Sequence, residues 1–242
     1  MKCNTAIVLA AGSGKRMQSA VAKQYLILKD KPVIWYALQA FQQSKVIHRV
    51  ILVVGPEEVE NCKENIVDKF GFSKVSAVIE GGAERYLSVW EALRWLEEKQ
   101  KPGAEEYIFI HDGARPFVNE KIIVQTYEAA REYGACVAAM PVKDTIKIAD
   151  EEGFAIQTPN RKTVWAVQTP QVFERGIITE AYRNLIKELE ELPDKGVEIT
   201  DDAMVLEAMS GKRVKLVKAS YENMKITTPE DMRIAESFIS CI

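Results

Sequence analysis

Cysteine and histidine are scarce in this chain of 242 residues, with four cysteines (Cys3, Cys62, Cys136, Cys241) and two histidines (His48, His111). The cysteines are far apart and form no Cys-x-x-Cys pair. Neither a structural zinc site nor a disulfide framework is therefore expected, and four free thiols suit a reducing cytoplasm. Long hydrophobic runs are absent as well. The longest are strand-length, far short of a membrane span. Thr5–Ala10 is too short for a secretory hydrophobic region, so no targeting signal is expected. Neither charge is in large excess, since 32 Lys and Arg face 35 Asp and Glu for a net charge of −3. A nucleic-acid polymer or an anionic membrane requires a strongly basic surface, so neither is expected as a partner. Repeats, low-complexity tracts and linkers are missing too. A chain of 242 residues can bury one substantial core, so residues 1–242 are read as a single domain.

What the sequence does have begins at its N-terminal end. Thr5–Ala10 reads as a short apolar strand of the buried parallel kind. It runs directly into Ala11-Gly12-Ser13-Gly14-Lys15-Arg16-Met17, with Lys23-Gln24 just beyond. Small residues and two glycines let the backbone turn sharply and approach a ligand. Lys15, Arg16 and Lys23 place cations beside the exposed N–H groups, which is the combination that a polyphosphate needs. Two better-known glycine loops are excluded. After Gly14 come only Lys15 and Arg16, so there is no Walker loop, and Met17 stands where a dinucleotide fingerprint needs a small residue.

Strands and helices then alternate. Arg49–Val54, Lys74–Ile79, Tyr107–Ile110 and Cys136–Met140 are predicted strands. The helices between them are marked by Val33, Tyr36, Ala37, Ala40 and Phe41; by Val59, Cys62, Ile66 and Phe70; by Val89, Trp90, Leu93 and Leu96; and by Ile123, Tyr127 and Ala130. This spacing predicts an α/β fold with a doubly wound, mostly parallel sheet, whose ligands collect at the carboxyl ends of the strands. The alternation breaks at about residues 142–167, where Thr145–Ile148, Phe154–Gln157 and Thr163–Val167 are short β-like pieces with no helices to cover them. Pattern alone allows either an inserted arm buried against a second subunit or an excursion packed on its own body. Helices return at Ile178–Leu189 and Asp201–Met209, a strand at Val214–Val217, and a last helix opening on Thr228-Pro229-Glu230-Asp231.

Further constellations follow predicted strands. Gly81-Gly82-Ala83-Glu84-Arg85-Tyr86-Leu87-Ser88 offers backbone groups and a hydroxyl that could read the edge of a base. His111-Asp112-Gly113-Ala114-Arg115 offers a carboxylate for hydroxyls or a metal ion and a guanidinium for phosphate. Each also reads as an ordinary turn or ion pair, and His111 reads as a buried structural residue. Thr145, Arg161, Thr169, Thr200 and Lys225 are single residues in favourable settings.

Taken together, these motifs resemble the 2-C-methyl-D-erythritol 4-phosphate cytidylyltransferase family of nucleotidylyltransferases, from Ala6 to about Ala235. The resemblance implies a Rossmann-like nucleotidyltransferase fold with a projecting dimerisation arm. It also implies transfer of a cytidylyl group from CTP to the polyol phosphate, with Mg²⁺ as the divalent cation, in non-mevalonate isoprenoid synthesis by a cytoplasmic homodimer. By the same resemblance Arg16, Lys23, Arg161 and Lys225 are catalytic. Ala10, Ala11, Gly12, Gly14, Lys15, Gly82 and Ser88 bind CTP, and Asp112, Arg115, Thr145, Thr169 and Thr200 bind the sugar phosphate. Mg²⁺ is held mainly by the triphosphate, with Asp112 as its candidate protein ligand. Ala83 replaces a frequent acid, Gly113 a frequent alanine and Ala22 a frequent proline. Two rivals remain at this stage. One is a cytidylyltransferase for another polyol phosphate such as ribitol 5-phosphate, and the other is a catalytically idle nucleotide-binding sensor.

Overall fold

In the computed structural model, residues 3–12, 22–99, 106–190 and 198–239 are described. The first loop's Gly14, Lys15 and Arg16 lie outside them.

Alternating burial builds the centre of the molecule. Strand β1 (Thr5–Ala10) is buried on both faces except at the half-buried Leu9, sending Ala6, Val8 and Ala10 to one side and Ile7 and Leu9 to the other. Two hairpin strands follow, β2 (Ile27–Leu28) and β3 (Lys31–Pro32), and then helix α1 (Val33–Gln43). Strand β4 (Arg49–Val54) leads into α2 (Val59–Cys62), which continues as a π-helical turn, Lys63–Asp68. Next come β5 (Val75–Glu80), α3 (Arg85–Lys99), β6 (Tyr107–Asp112), α4 (Glu120–Tyr133) and β7 (Ala135–Pro141). Helix α4 starts where the Asn119 side chain accepts from the Ile122 N–H, and stops at Gly134 with φ 79°. On one face of the sheet lie α1, α2 and α4, and on the other lie α3 with two helices from later in the chain. This is the three-layer arrangement expected of strands that are apolar on both sides.

The later elements are β8 (Ile148–Ala149), β9 (Ala155–Gln157), β10 (Trp165–Glu174), α5 (Arg175–Glu188), α6 (Asp202–Ser210), β11 (Lys215–Lys218) and α7 (Pro229–Ile239). Seven strands form the central sheet in the order β11-β7-β10-β6-β1-β4-β5. The chain winds outward from β1 through β4 to β5, then crosses back by α3 to β6 on the other flank of β1. The strand order therefore reverses at β1/β6, which is where an open parallel sheet leaves a crevice.

One strand departs from the sequence reading. Thr163–Val167 is not a piece of the arm. Its last three residues open β10, a ten-residue strand that runs antiparallel between β7 and β6. Pro170 cannot donate to a ladder, and the pairing with β7 shifts register between Val167 and Gln171 to accommodate it. The arm itself is the hairpin β8–β9. It stands clear of the sheet, with Ile148, Phe154 and Ile156 at 44%, 67% and 66% exposure. Among the described residues no helix is long and apolar enough to cross a membrane.

Candidate active site

Register sets the site. Leu9 pairs with Asp112, Ala10 with Val54, and Val54 with Glu80, so β1, β5 and β6 all end at the same level. The Gly113 N–H donates to Leu9 O at 2.8 Å and the Gly81 N–H to Val54 O at 2.8 Å, fixing both turns as they leave the sheet. Between them opens a cavity of about 200 Å³. Its walls are the Leu9–Gly12 backbone, the turn at Gly82, Ala83 and Glu84, and the side chains of Lys23, Arg85, Asp112 and Lys225.

Eight of the residues singled out from sequence line this cavity, namely Ala10, Ala11, Gly12, Lys23, Gly82, Ser88, Asp112 and Lys225. Backbone dominates the wall formed by the β1 exit and the Gly81-Gly82 turn. A Cβ on Gly81 would stand 2.6 Å from Ser88 Oγ and 2.9 Å from Ala11 Cβ, so only glycine allows the two segments to approach this closely. Ser88 is buried, and its hydroxyl lies 3.3 Å from Gly82 O and 3.2 Å from Glu84 O, bracing the turn. Lys23 sits on a single 3-10 turn, Lys23–Tyr25. The neighbouring Gln24, buried in the cavity floor, donates its side-chain amide to Ala10 O and so ties that turn to the end of β1.

Asp112 is the electrostatic centre of the opposite wall. Its carboxylate takes Lys225 Nζ at 2.8 Å, Arg85 Nε at 3.3 Å and Arg115 Nε at 3.8 Å. Burial by itself would raise its pKa. The three cations outweigh that and hold the carboxyl well below the usual carboxylate range. Lys225 is held in place because the next residue, Ile226, donates its N–H to Ala114 O, and Arg115 donates to Asn223 O. Arg115 thus lies behind Asp112 and is not among the lining residues.

Thr169 is also placed behind the cavity. Its buried hydroxyl accepts the Asp112 N–H at 3.1 Å and lies 3.0 Å from His111 Nδ1. Since His111 Nε2 faces the Arg115 carbonyl at 3.1 Å, Nε2 carries the proton and Nδ1 accepts from Thr169. In this chain the Thr169 hydroxyl fixes the strand end that carries Asp112. Thr145, Arg161 and Thr200 are exposed and are not among the residues that line this cavity. Arg161 donates to Lys143 O within its own arm.

His111 is the structural residue that the sequence suggested. It is fully buried, and burial pulls its pKa down from 6.5 to about 4. The unfolded chain therefore takes up a proton that the folded chain refuses as the pH drops from 6.5 towards 4. Stability present above pH 6.5 should be lost across that window, by roughly 3 kcal/mol. Urea unfolding at pH 7 and pH 4.5 measures the loss, and His111→Gln should flatten most of it. An equal slope in the variant would assign the titration elsewhere.

Sequence reasoning missed Gln24, Arg85 and Asp202. Arg85 and Asp202 stood inside quoted stretches, but nothing local marks a pair 117 residues apart. The Asp112 oxygens, the candidate protein ligands for Mg²⁺, face Lys225, Arg85 and Arg115 in this chain. Among the described residues no group of three His, Cys, Asp or Glu could hold a metal ion.

A cationic cavity at the reversal point of a mostly parallel sheet, with one wall of bare backbone, defines a nucleotide-handling α/β transferase. Comparison with known proteins narrows the class. The family model for IspD, 2-C-methyl-D-erythritol 4-phosphate cytidylyltransferase, matches residues 4–240. A curated relative of that name from Lachnospira eligens is 50% identical over 98% of this chain and 99% of its own. Another from Caldanaerobacter subterraneus is 43% identical over 97% and 98%. The crystal structure of 4-diphosphocytidyl-2C-methyl-D-erythritol synthase from Anaerococcus prevotii superposes with a TM-score of 0.79 at 32% identity, covering 99% of this chain and 96% of that one. The chain belongs to the 2-C-methyl-D-erythritol 4-phosphate cytidylyltransferase family.

Proposed function

We infer that the chain transfers the cytidylyl group of CTP to 2-C-methyl-D-erythritol 4-phosphate, giving 4-diphosphocytidyl-2-C-methyl-D-erythritol and diphosphate. The observation that carries this reading is the single cavity bringing bare backbone, Lys23, Asp112 and Lys225 together at the β1/β6 reversal. A phosphate oxygen of the polyol attacks the α-phosphorus of CTP, and the bond to the bridging oxygen of the departing diphosphate breaks. The nucleophile is already an anion, so no general base is needed, and the buried neutral His111 does not have to act as one. The barrier lies in bringing anions together and in the charge gained at the α-phosphorus, which positioned cations offset.

The base faces the Gly82 turn and the Ala10–Ala11 backbone. Lys23 meets the triphosphate, with Arg16 and Lys15 of the first loop as its proposed companions. Lys225 meets the incoming phosphate, and Asp112 accepts from polyol hydroxyls. Mg²⁺ carried on the triphosphate would neutralise part of its charge. The exposed apolar hairpin β8–β9 supports a homodimer in which each arm covers its partner and brings Arg161 and Thr145 to the neighbouring site. Unpaired thiols at Cys3, Cys62 and Cys136 support a cytoplasmic location.

The test is one assay, in which CTP and Mg²⁺ are supplied with each polyol phosphate in turn and diphosphate release is scored. Release with methylerythritol phosphate well above release with ribitol 5-phosphate is expected. The reverse order would transfer the reading to another polyol, and no release with any would leave a binding protein. With the preferred acceptor, kcat/KM for CTP should exceed that for UTP by about 100-fold or more. Uracil presents a carbonyl where the site is arranged for an exocyclic amine, leaving buried acceptors unpaired. Equal values would remove the base-reading role of the Gly82 turn.

A further inference from the structure

From the cavity wall at Arg85 an ionic relay runs back to the buried Asp202 and Tyr182, and the reaction leaves it unused. Arg85 is the first residue of α3, directly after the Gly82–Glu84 turn. Its two terminal nitrogens lie 2.8 and 2.7 Å from the two oxygens of Asp202, a bidentate pairing. Its remaining Nε reaches forward to Asp112 Oδ1 at 3.3 Å. Asp202, at the start of α6, is fully buried and also accepts the Tyr182 hydroxyl at 2.6 Å from α5. Tyr182 is itself fully buried. One guanidinium thus joins four elements: α3, the end of β6, α5 and α6.

The charge balance gives this arrangement a purpose. Among the described residues, Arg85, Arg115 and Lys225 make their ion pairs with two carboxylates, Asp112 and Asp202. This cluster of five carries one net positive charge beside the cavity, where a phosphate would enter. Without Asp202, Arg85 would have Asp112 as its sole carboxylate and would be free to pivot over it. The Asp112 oxygens would then be drawn away from hydroxyls and onto the guanidinium. Asp202 does not line the cavity, so it acts on substrate only through Arg85.

We propose that Arg85 and Asp202 form a positioning pair that orients the Asp112 carboxylate for the polyol hydroxyls, with the Tyr182 hydroxyl fixing Asp202. This inference rests on the cytidylyl-transfer reading of the cavity. A lysine at 85 keeps the charge but cannot fork to Asp202 and reach Asp112 together.

Steady-state kinetics on the full-length enzyme test it, with direct CTP binding measured in the absence of polyol phosphate. Asp202→Asn should raise KM for the polyol phosphate at least tenfold while kcat and the CTP Kd change less than threefold. Tyr182→Phe should shift the same KM by a smaller factor, and Arg85→Lys should resemble Asp202→Asn. Because a lone buried charge can prevent folding, Arg85→Gln/Asp202→Asn removes both charges, and its polyol KM should match that of Asp202→Asn rather than the product of two independent losses. An unchanged polyol KM in Asp202→Asn, with any loss confined to thermal stability, would overturn the proposal. So would full activity in Arg85→Lys beside a damaged Arg85→Gln/Asp202→Asn, which would place the Arg85 charge directly on substrate. Failure of the wild-type enzyme to release diphosphate would instead overturn the functional reading beneath it.

Discussion

Lys23→Ala should lower kcat by about 10²–10³-fold, the loss expected when one electrostatic donor to a developing charge is removed, equivalent to about 2.7–4 kcal/mol. The geometry gives the reason. Lys23 lines the cavity from a three-residue turn that Gln24 pins to the carbonyl of Ala10. The ammonium is therefore presented from a fixed base at the carboxyl end of β1, opposite Lys225. A charge positioned before the reaction stabilises the transition state without reorganising during it, so its loss appears in kcat more than in KM. Single-turnover rates with saturating CTP separate this from weakened binding. A near-normal kcat with a raised KM for CTP would mean that Lys23 grips the nucleotide and contributes nothing specific to the chemistry.

The parts of this site that lie next to a strand end were legible in the sequence. β1 and β6 are near-continuous apolar runs, and β1, β5 and β6 each end close to residues that line the cavity. Parallel strands bring their carboxyl ends to one end of the sheet, so Ala10, Gly82 and Asp112 were expected at that end, whereas the strand order that makes them neighbours was not legible. β10 was not legible in the same way. Its centre reads Gln168-Thr169-Pro170-Gln171, polar and interrupted by a proline, and it survives as a central strand because a register shift lets the ladder skip that residue. Nor could the roles of Thr169 and Arg115 be read locally. Both belong to motifs that point at the cavity, yet folding turns them onto Asp112 and its neighbours. Asp202 shows the same limit from the other side. An acid beginning a helix is usually a solvated partner of the helix dipole, and only the long-range approach of Arg85 reveals it as a buried counter-charge.

Arg161 is the residue on which the single chain and the proposed enzyme differ most. Within its own chain it is exposed, bonded to Lys143 O, and not among the residues lining the cavity. The hairpin beside it carries Phe154 and Ile156 at 67% and 66% exposure, apolar surface that a second copy would bury. If arms embrace partners, Arg161 supplies its cation to the neighbour's acceptor phosphate, and Arg161→Ala should lose activity by at least about 100-fold, on the scale of other removed charge contacts. Lys23→Ala is impaired through the cavity body instead. In a mixed dimer of the two variants, the body of the Arg161→Ala chain keeps Lys23 and receives an intact arm, whereas the other site lacks both groups. Random assembly makes half the dimers mixed, each with one good site of two, so about a quarter of wild-type activity should return. Co-expression with two tags isolates the mixed species. Recovery there, with none in either parent, would establish Arg161 as acting across the interface, whereas inactive mixed dimers would return it to its own chain or remove it from the mechanism.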